Sequence, residues 1–152
     1  MNIVFLDVDG VLNSHNKLEE VYYKTGKPHS GINYPFDEKC LKNLKTLVEE
    51  TNSKIVIIST WREKEDHMKV LLNVLKEYDL DKTVIGYTPI LYKTREEEII
   101  EYLNSLNINV NYVIIDNVRD MKTLNNNLVV TSVKTGFTKE NLKTAIKILK
   151  KG

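Results

Sequence analysis

Apolar positions along the chain fall into two periods. Four short runs, at residues 3–6, 55–58, 112–115 and 128–130, are unbroken by polar residues and rich in Val and Ile. Strands covered on both faces have this composition. A weaker fifth candidate spans 83–87 and is closed by Pro89. Between the runs the period becomes helical. Leu41, Leu44, Leu47 and Val48 share a face behind Asp37, an N-cap residue. Met68, Leu71, Leu72 and Leu75 share another. Ile99, Leu103 and Leu106 follow Thr94-x-x-Glu97, a capping-box pattern. Leu142, Ala145, Ile146 and Leu149 follow Thr138. Strands alternating with helices predict an α/β fold, a doubly wound parallel sheet with helices on both faces.

Segment 14–36 does not fit either period. It carries Pro28, Pro35, Gly26 and Gly31 and shows no apolar stripe. An irregular insertion of this length in a compact domain is expected to be a flap or mobile loop. The 152 residues suit one domain, 1–152, with 14–36 as its flap.

Composition narrows the functions little. The formal net charge is +1, so any basic contact to nucleic acid must be local. Cys40 stands alone, which rules out an intramolecular disulfide and fits a reducing, cytoplasmic setting. Residues 1–13 carry Asp7 and Asp9 and do not resemble a signal peptide, and no apolar run approaches a membrane span.

The chemistry gathers after the strands. The first run leads into Asp7-Val8-Asp9-Gly10, the second into Ser59-Thr60-Trp61-Arg62, the third into Asp116-Asn117-Val118-Arg119-Asp120. In open α/β sheets the ligand site lies beyond the carboxyl ends of the strands. One such Asp or Ser is an ordinary turn residue. Three strand ends together imply a site, and carboxylates brought to one edge repel each other and call for a cation.

Asp7-Val8-Asp9-Gly10-Val11-Leu12-Asn13 resembles the first motif of the haloacid dehalogenase superfamily in its phosphatase form. Ser59 matches the second motif, and Asp116 with Asp120 the fourth. A closer likeness is to the small domains of that superfamily in Swiss Army Knife RNA repair. It is carried by Phe36-Asp37, Ser59-Thr60-Trp61-Arg62, Thr88-Pro89, Arg95-x-x-Glu98-Ile99 and Gly136-Phe137-Thr138. Asn117 departs from the second Asp expected there. The resemblance implies strand order 5-4-1-2-3, with Asp7 beside Asp116 at the switch point.

It also implies roles. Asp7 is the nucleophile, and Asp9 the general acid and then base. Ser59 holds a phosphoryl oxygen, with Thr60 the lesser choice. Lys93 and Arg95 both qualify as the phosphate-facing cation; only Arg95 matches the subgroup. Mg²⁺ takes hard oxygen ligands, and Asp7, the backbone carbonyl of Asp9, Asp116 and Asp120 suit it. Arg62 is either a further phosphate contact or an ion pair. Trp61 either shapes a pocket or packs. His67 and the lysines of the last helix read as surface, and Cys40 as core.

A phosphomonoester is thus the expected substrate. Tyr22, Tyr23 and Tyr34, interleaved with Lys17, Lys24 and Lys27 in the flap, suggest a nucleotide or polynucleotide end as its source. The alternatives are a general small-metabolite phosphatase and a non-catalytic phosphate-binding domain. A receiver domain is disfavoured, because it would place its phosphoacceptor Asp after the third strand.

Overall fold

A computed structural model describes residues 1–119 and 121–151. Five strands, β1 (Asn2–Leu6), β2 (Ser53–Ile57), β3 (Val84–Tyr87), β4 (Asn111–Asp116) and β5 (Leu128–Val130), form one all-parallel sheet in the order β3-β2-β1-β4-β5. This is the expected order, with β1 at the centre. Five α-helices join them: α1 (His15–Thr25), α2 (Glu38–Thr51), α3 (Glu65–Lys76), α4 (Arg95–Ser105) and α5 (Lys139–Lys151).

The central strands are buried on both faces, which is why they read as continuous apolar runs. Val4, Leu6, Ile55, Ile57, Val113 and Ile115 face one core with Leu44, Leu47, Leu71, Leu75, Ala145 and Leu149 of α2, α3 and α5. Ile3, Phe5, Val56, Ile58 and Ile114 face a second, smaller core under Ile99 of α4. Fully burying one such side chain is worth about 1.5–3 kcal/mol, so the register is strongly specified. The lysines of α5 are exposed, as expected.

The helix starts follow the sequence signals. Asp37 accepts from the Lys39 N–H, Thr94 from the Glu97 N–H and Thr138 from the Asn141 N–H. Each cap of this kind is worth about 1 kcal/mol.

Segment 14–36 departs from the expectation of an irregular flap. It holds α1, started by Ser14 and ended by Gly26 at φ 69°. No residue of α1 is buried, so there was no apolar stripe to see. The segment is closed at its root by an antiparallel bridge between Asn13 and Phe36. Ser14 Oγ also donates to Asp37 Oδ2 at 2.9 Å.

Candidate active site

Leu6 is paired with Ile57 on one side and Ile115 on the other. Asp7 therefore leaves the sheet between the ends of β2 and β4, and its N–H donates to the Ile115 carbonyl at 3.0 Å. Asp7 and Asp116 are both buried, at 5% and 0% exposure. Arg95, the first residue of α4, spans them. Its Nη1 lies 2.9 Å from Asp116 Oδ2 and 3.3 Å from Asp7 Oδ2. Lys93 is exposed, so Arg95 is the cation at the cluster.

Two buried carboxylates here share one guanidinium. Burial, then the neighbouring Asp116, pushes the Asp7 carboxyl up to about 7 despite the opposing pull of Arg95. The cluster is short of positive charge.

Ser59 is buried at the end of β2. Its Oγ accepts from the Trp61 N–H at 3.1 Å, which leaves its proton available to donate. Thr60 is exposed beside it. Arg62 is the ion pair of the two readings offered: Nη2 lies 2.9 Å from Glu98 Oε1, with both side chains buried. It also donates to the carbonyls of Ile58, Ser59, Thr88 and Pro89. Its donors are spent on bracing the turn after β2 against the loop that leads to Arg95.

Asp9 does not join the carboxylate cluster. Its side chain is held elsewhere, by Asn13 Nδ2 on Oδ1 at 2.8 Å and by Trp61 Nε1 on Oδ2 at 3.2 Å. Its backbone carbonyl accepts from Asn117 Nδ2 at 3.3 Å. Gly10 sits at φ 77°, and a Cβ there would fall 2.6 Å from Asn117 Nδ2, so this turn needs glycine. Asp120 lies outside the described residues.

Among the described residues, no group of three or more His, Cys, Asp or Glu side chains is arranged to hold a metal. The oxygens of Asp7, Asp116 and the Asp9 carbonyl nonetheless fit Mg²⁺, which keeps waters and takes only one or two carboxylates. Two buried carboxylates sharing one guanidinium leave the cluster net negative, and that arrangement favours a cation there.

A cavity of about 550 Å³ opens beside Asp9, walled by His15, Tyr34, Thr60, Trp61 and His67. That volume is within the range of small-molecule sites. Burial, and then the Asp9 carboxylate, raise the Tyr34 hydroxyl above its usual range. His67, expected at the surface, stacks edge-on against Trp61 at 4.8 Å. Tyr22 and Tyr23 border a separate hollow with Pro28 and His29. Lys17 lies 2.8 Å from Glu38 and Lys24 3.2 Å from Glu20. Of the flap tyrosines and lysines set out above, only Tyr34 borders the Asp9 cavity, together with His15 and Gly31 of the same segment. Asn13, and the bond from Trp61 to Asp9, were not foreseen. The Asn four residues after Asp9 and the Trp two after Ser59 were the available signals.

The central Asp-x-Asp strand, the flanking Ser and Asp strand ends and this strand order together define a haloacid dehalogenase-like α/β domain. The chain belongs to the family described as the HAD domain in Swiss Army Knife RNA repair proteins, whose model matches residues 3–142. Membership suggests phosphatase-type chemistry on a phosphate-containing substrate. No curated protein and no solved structure matches the chain. Among the described residues, no helix is long and apolar enough to cross a membrane.

Proposed function

We propose that the chain is a Mg²⁺-dependent phosphomonoesterase that works through an aspartyl-phosphate on Asp7. The observation that carries this reading is the buried pair Asp7 and Asp116 at adjacent strand ends, spanned by Arg95 and flanked by Ser59.

Asp7 Oδ attacks phosphorus while the bond from phosphorus to the leaving oxygen breaks. Asp9 gives its proton to that oxygen, and the alcohol departs. Water then attacks the aspartyl-phosphate, Asp9 takes a proton from it, and inorganic phosphate leaves with Asp7 restored. Ser59 and Arg95 orient the phosphoryl oxygens. Asp7, Asp116 and the Asp9 carbonyl would hold Mg²⁺, which supplies the positive charge that lets an anionic nucleophile meet a dianion. Asp120 is a further candidate ligand or outer partner. Thr60, exposed at the cavity wall, is a secondary phosphate contact.

The proposed substrate is a terminal phosphate on a nucleotide or polynucleotide. Support comes from the family's occurrence in RNA repair proteins and from Tyr34, an aromatic beside Asp9 and the cavity. Segment 14–36 acts as a small flap over an open site. A cytoplasmic setting fits Cys40, which is buried and free.

Phosphate release from p-nitrophenyl phosphate, with Mg²⁺ and after EDTA, tests the activity. Acid-stable labelling of Asp7→Asn, or activity retained by it, would sink the nucleophile. For the substrate, kcat/KM is compared at fixed salt for a 3′-phosphorylated oligonucleotide, a mononucleotide and a sugar phosphate. A win for the sugar phosphate returns the chain to the small-metabolite phosphatases. Phosphate binding without turnover makes it a non-catalytic domain.

A further inference from the structure

Asp9 is exposed and follows the strand rather than belonging to it. A carboxylate in that position would ordinarily sample several rotamers. Here both oxygens are held. Asn13 Nδ2 donates to Oδ1 at 2.8 Å and Trp61 Nε1 to Oδ2 at 3.2 Å. The Asn13 amide has one sensible orientation, because its Oδ1 accepts the Gly10 N–H at 2.8 Å and its nitrogen must then face Asp9. Trp61 is 3% exposed and sits edge-on against Phe36 at 5.7 Å and His67 at 4.8 Å. Both donors are neutral, so they set direction without cancelling the charge. Each carboxylate oxygen keeps a second lone pair for a proton.

The two donors also meet at the root of the flap. Asn13 is bridged to Phe36 where segment 14–36 closes, and Phe36 packs on Trp61. The root therefore touches Asp9 through both arms, directly by Asn13 and through the indole by Phe36. We infer that Asn13 and Trp61 are positioning residues that lock the Asp9 carboxylate at the cavity and tie its orientation to the root of the flap. The kinetic consequence rests on Asp9 being the acid–base group proposed above.

The test has one arm that needs no turnover. Trp61 is the chain's one tryptophan, so its indole N–H gives a single resonance in a ¹⁵N–¹H spectrum of the full chain. Asp9→Asn should move that resonance and speed its exchange with water. An unmoved resonance overturns the clamp, whether or not the chain is active.

The second arm uses leaving groups. Trp61→Phe keeps a ring and removes the N–H. It should lower kcat about 10–100-fold for an alkyl phosphate, and clearly less for p-nitrophenyl phosphate, whose leaving group needs little protonation. In an Asp9→Asn background the same change should cost less than about twofold, since coupled residues are not additive. Equal losses on both esters, or an undiminished loss in that background, make Trp61 structural and overturn the inference. Asn13→Ala gives the same cycle if Trp61→Phe does not fold. If Asp9→Asn itself slows both esters equally, the acid–base reading fails, and the indole resonance still decides on the clamp.

Discussion

Asp7, Ser59 and Asp116 hang from strands buried on both faces, whereas α1, on the other side of the cavity, has no buried residue at all. At the strand ends every displacement is resisted by packed core. In α1 the side-chain contacts are ion pairs such as Lys17 with Glu38 and Lys24 with Glu20, and the anchorage lies at the root and at the first turn, where the His15 and Asn16 N–H groups donate to the Val133 and Lys134 carbonyls. Exposed pairs of this kind contribute little. On the function proposed above, the molecule gives its fixed geometry to the groups that would meet the phosphate, and leaves the side that would meet the rest of the substrate on a helix held mainly at its start. Low local stability is what a segment that accommodates a ligand requires.

The largest blow to one side of this comparison is Asp7→Asn. Turnover should fall by about 10⁴-fold or more, measured as phosphate release with Mg²⁺ present. Next comes Arg95→Ala, which should cost about 10²–10³ in kcat, while exposed Lys93→Ala stays within about twofold. The reverse ranking would move the phosphate cation to Lys93.

A third change weakens the frame behind Arg95. Glu98→Ala leaves Arg62 buried without its carboxylate partner, and urea denaturation should show a loss of about 3 kcal/mol. The Leu91 N–H also loses its acceptor, Glu98 Oε2, so the loop before Arg95 should loosen.

The fourth concerns pH in metal-free protein. Asp7 is raised from 3.8 to about 7 on folding. Below pH 4 both states hold the proton and the group costs nothing. Between pH 4 and 7 the unfolded chain ionises first, so stability falls as pH rises, and above 7 the full penalty stands. Asp7→Asn should therefore be more stable than wild type by about 2–4 kcal/mol at pH 8, and by almost nothing at pH 4. Melting curves across that range check it, and Mg²⁺ should narrow the difference.

The smallest effect belongs to the other side. Ser14→Ala removes the cap of α1 and should cost about 1 kcal/mol locally. Ser14 Oγ also donates to Asp37, the cap residue of α2, so amide exchange should quicken through α1 and the first turn of α2, while the rest of the fold and the global melting point hardly move. A cooperative loss of the whole fold would mean that segment 14–36 is far better integrated than its burial implies.

How much of this was legible before the structure follows from the same contrast. The strands that lead into Asp7, Ser59 and Asp116 could be read because burial on both faces writes itself into sequence as unbroken Val and Ile, whereas the strand order and the place of Arg95 were implied by the family resemblance. α1 could not be read, because a helix that buries nothing leaves no periodic trace. Only Ser14 and Gly26, its two caps, marked it. The flap tyrosines and lysines were grouped by nearness in sequence. On α1 they scatter around an exposed helix, and only Tyr34, beyond it, borders the cavity beside Asp9. The hold of Trp61 on Asp9 was hidden for a different reason. It depends on which way an indole points across a turn, and residue type carries no direction.

The register of β1 has a consequence for how the Asp7 and Asp116 cluster is assembled. Asn2 is paired with Ser53 on one side and Asn111 on the other, so β1 waits for a strand far along the chain before it is flanked. Pairings this distant are slow to close, because loop entropy must be lost before any contact rewards it. Asp7 directly follows β1, Asp116 ends β4 and Arg95 opens α4 between β3 and β4, so no partial collapse assembles the trio. Regain of turnover during refolding should therefore coincide with the slowest structural phase, and truncation before β4 should leave an apolar strand, Ile3-Val4-Phe5-Leu6, without a neighbour on one flank.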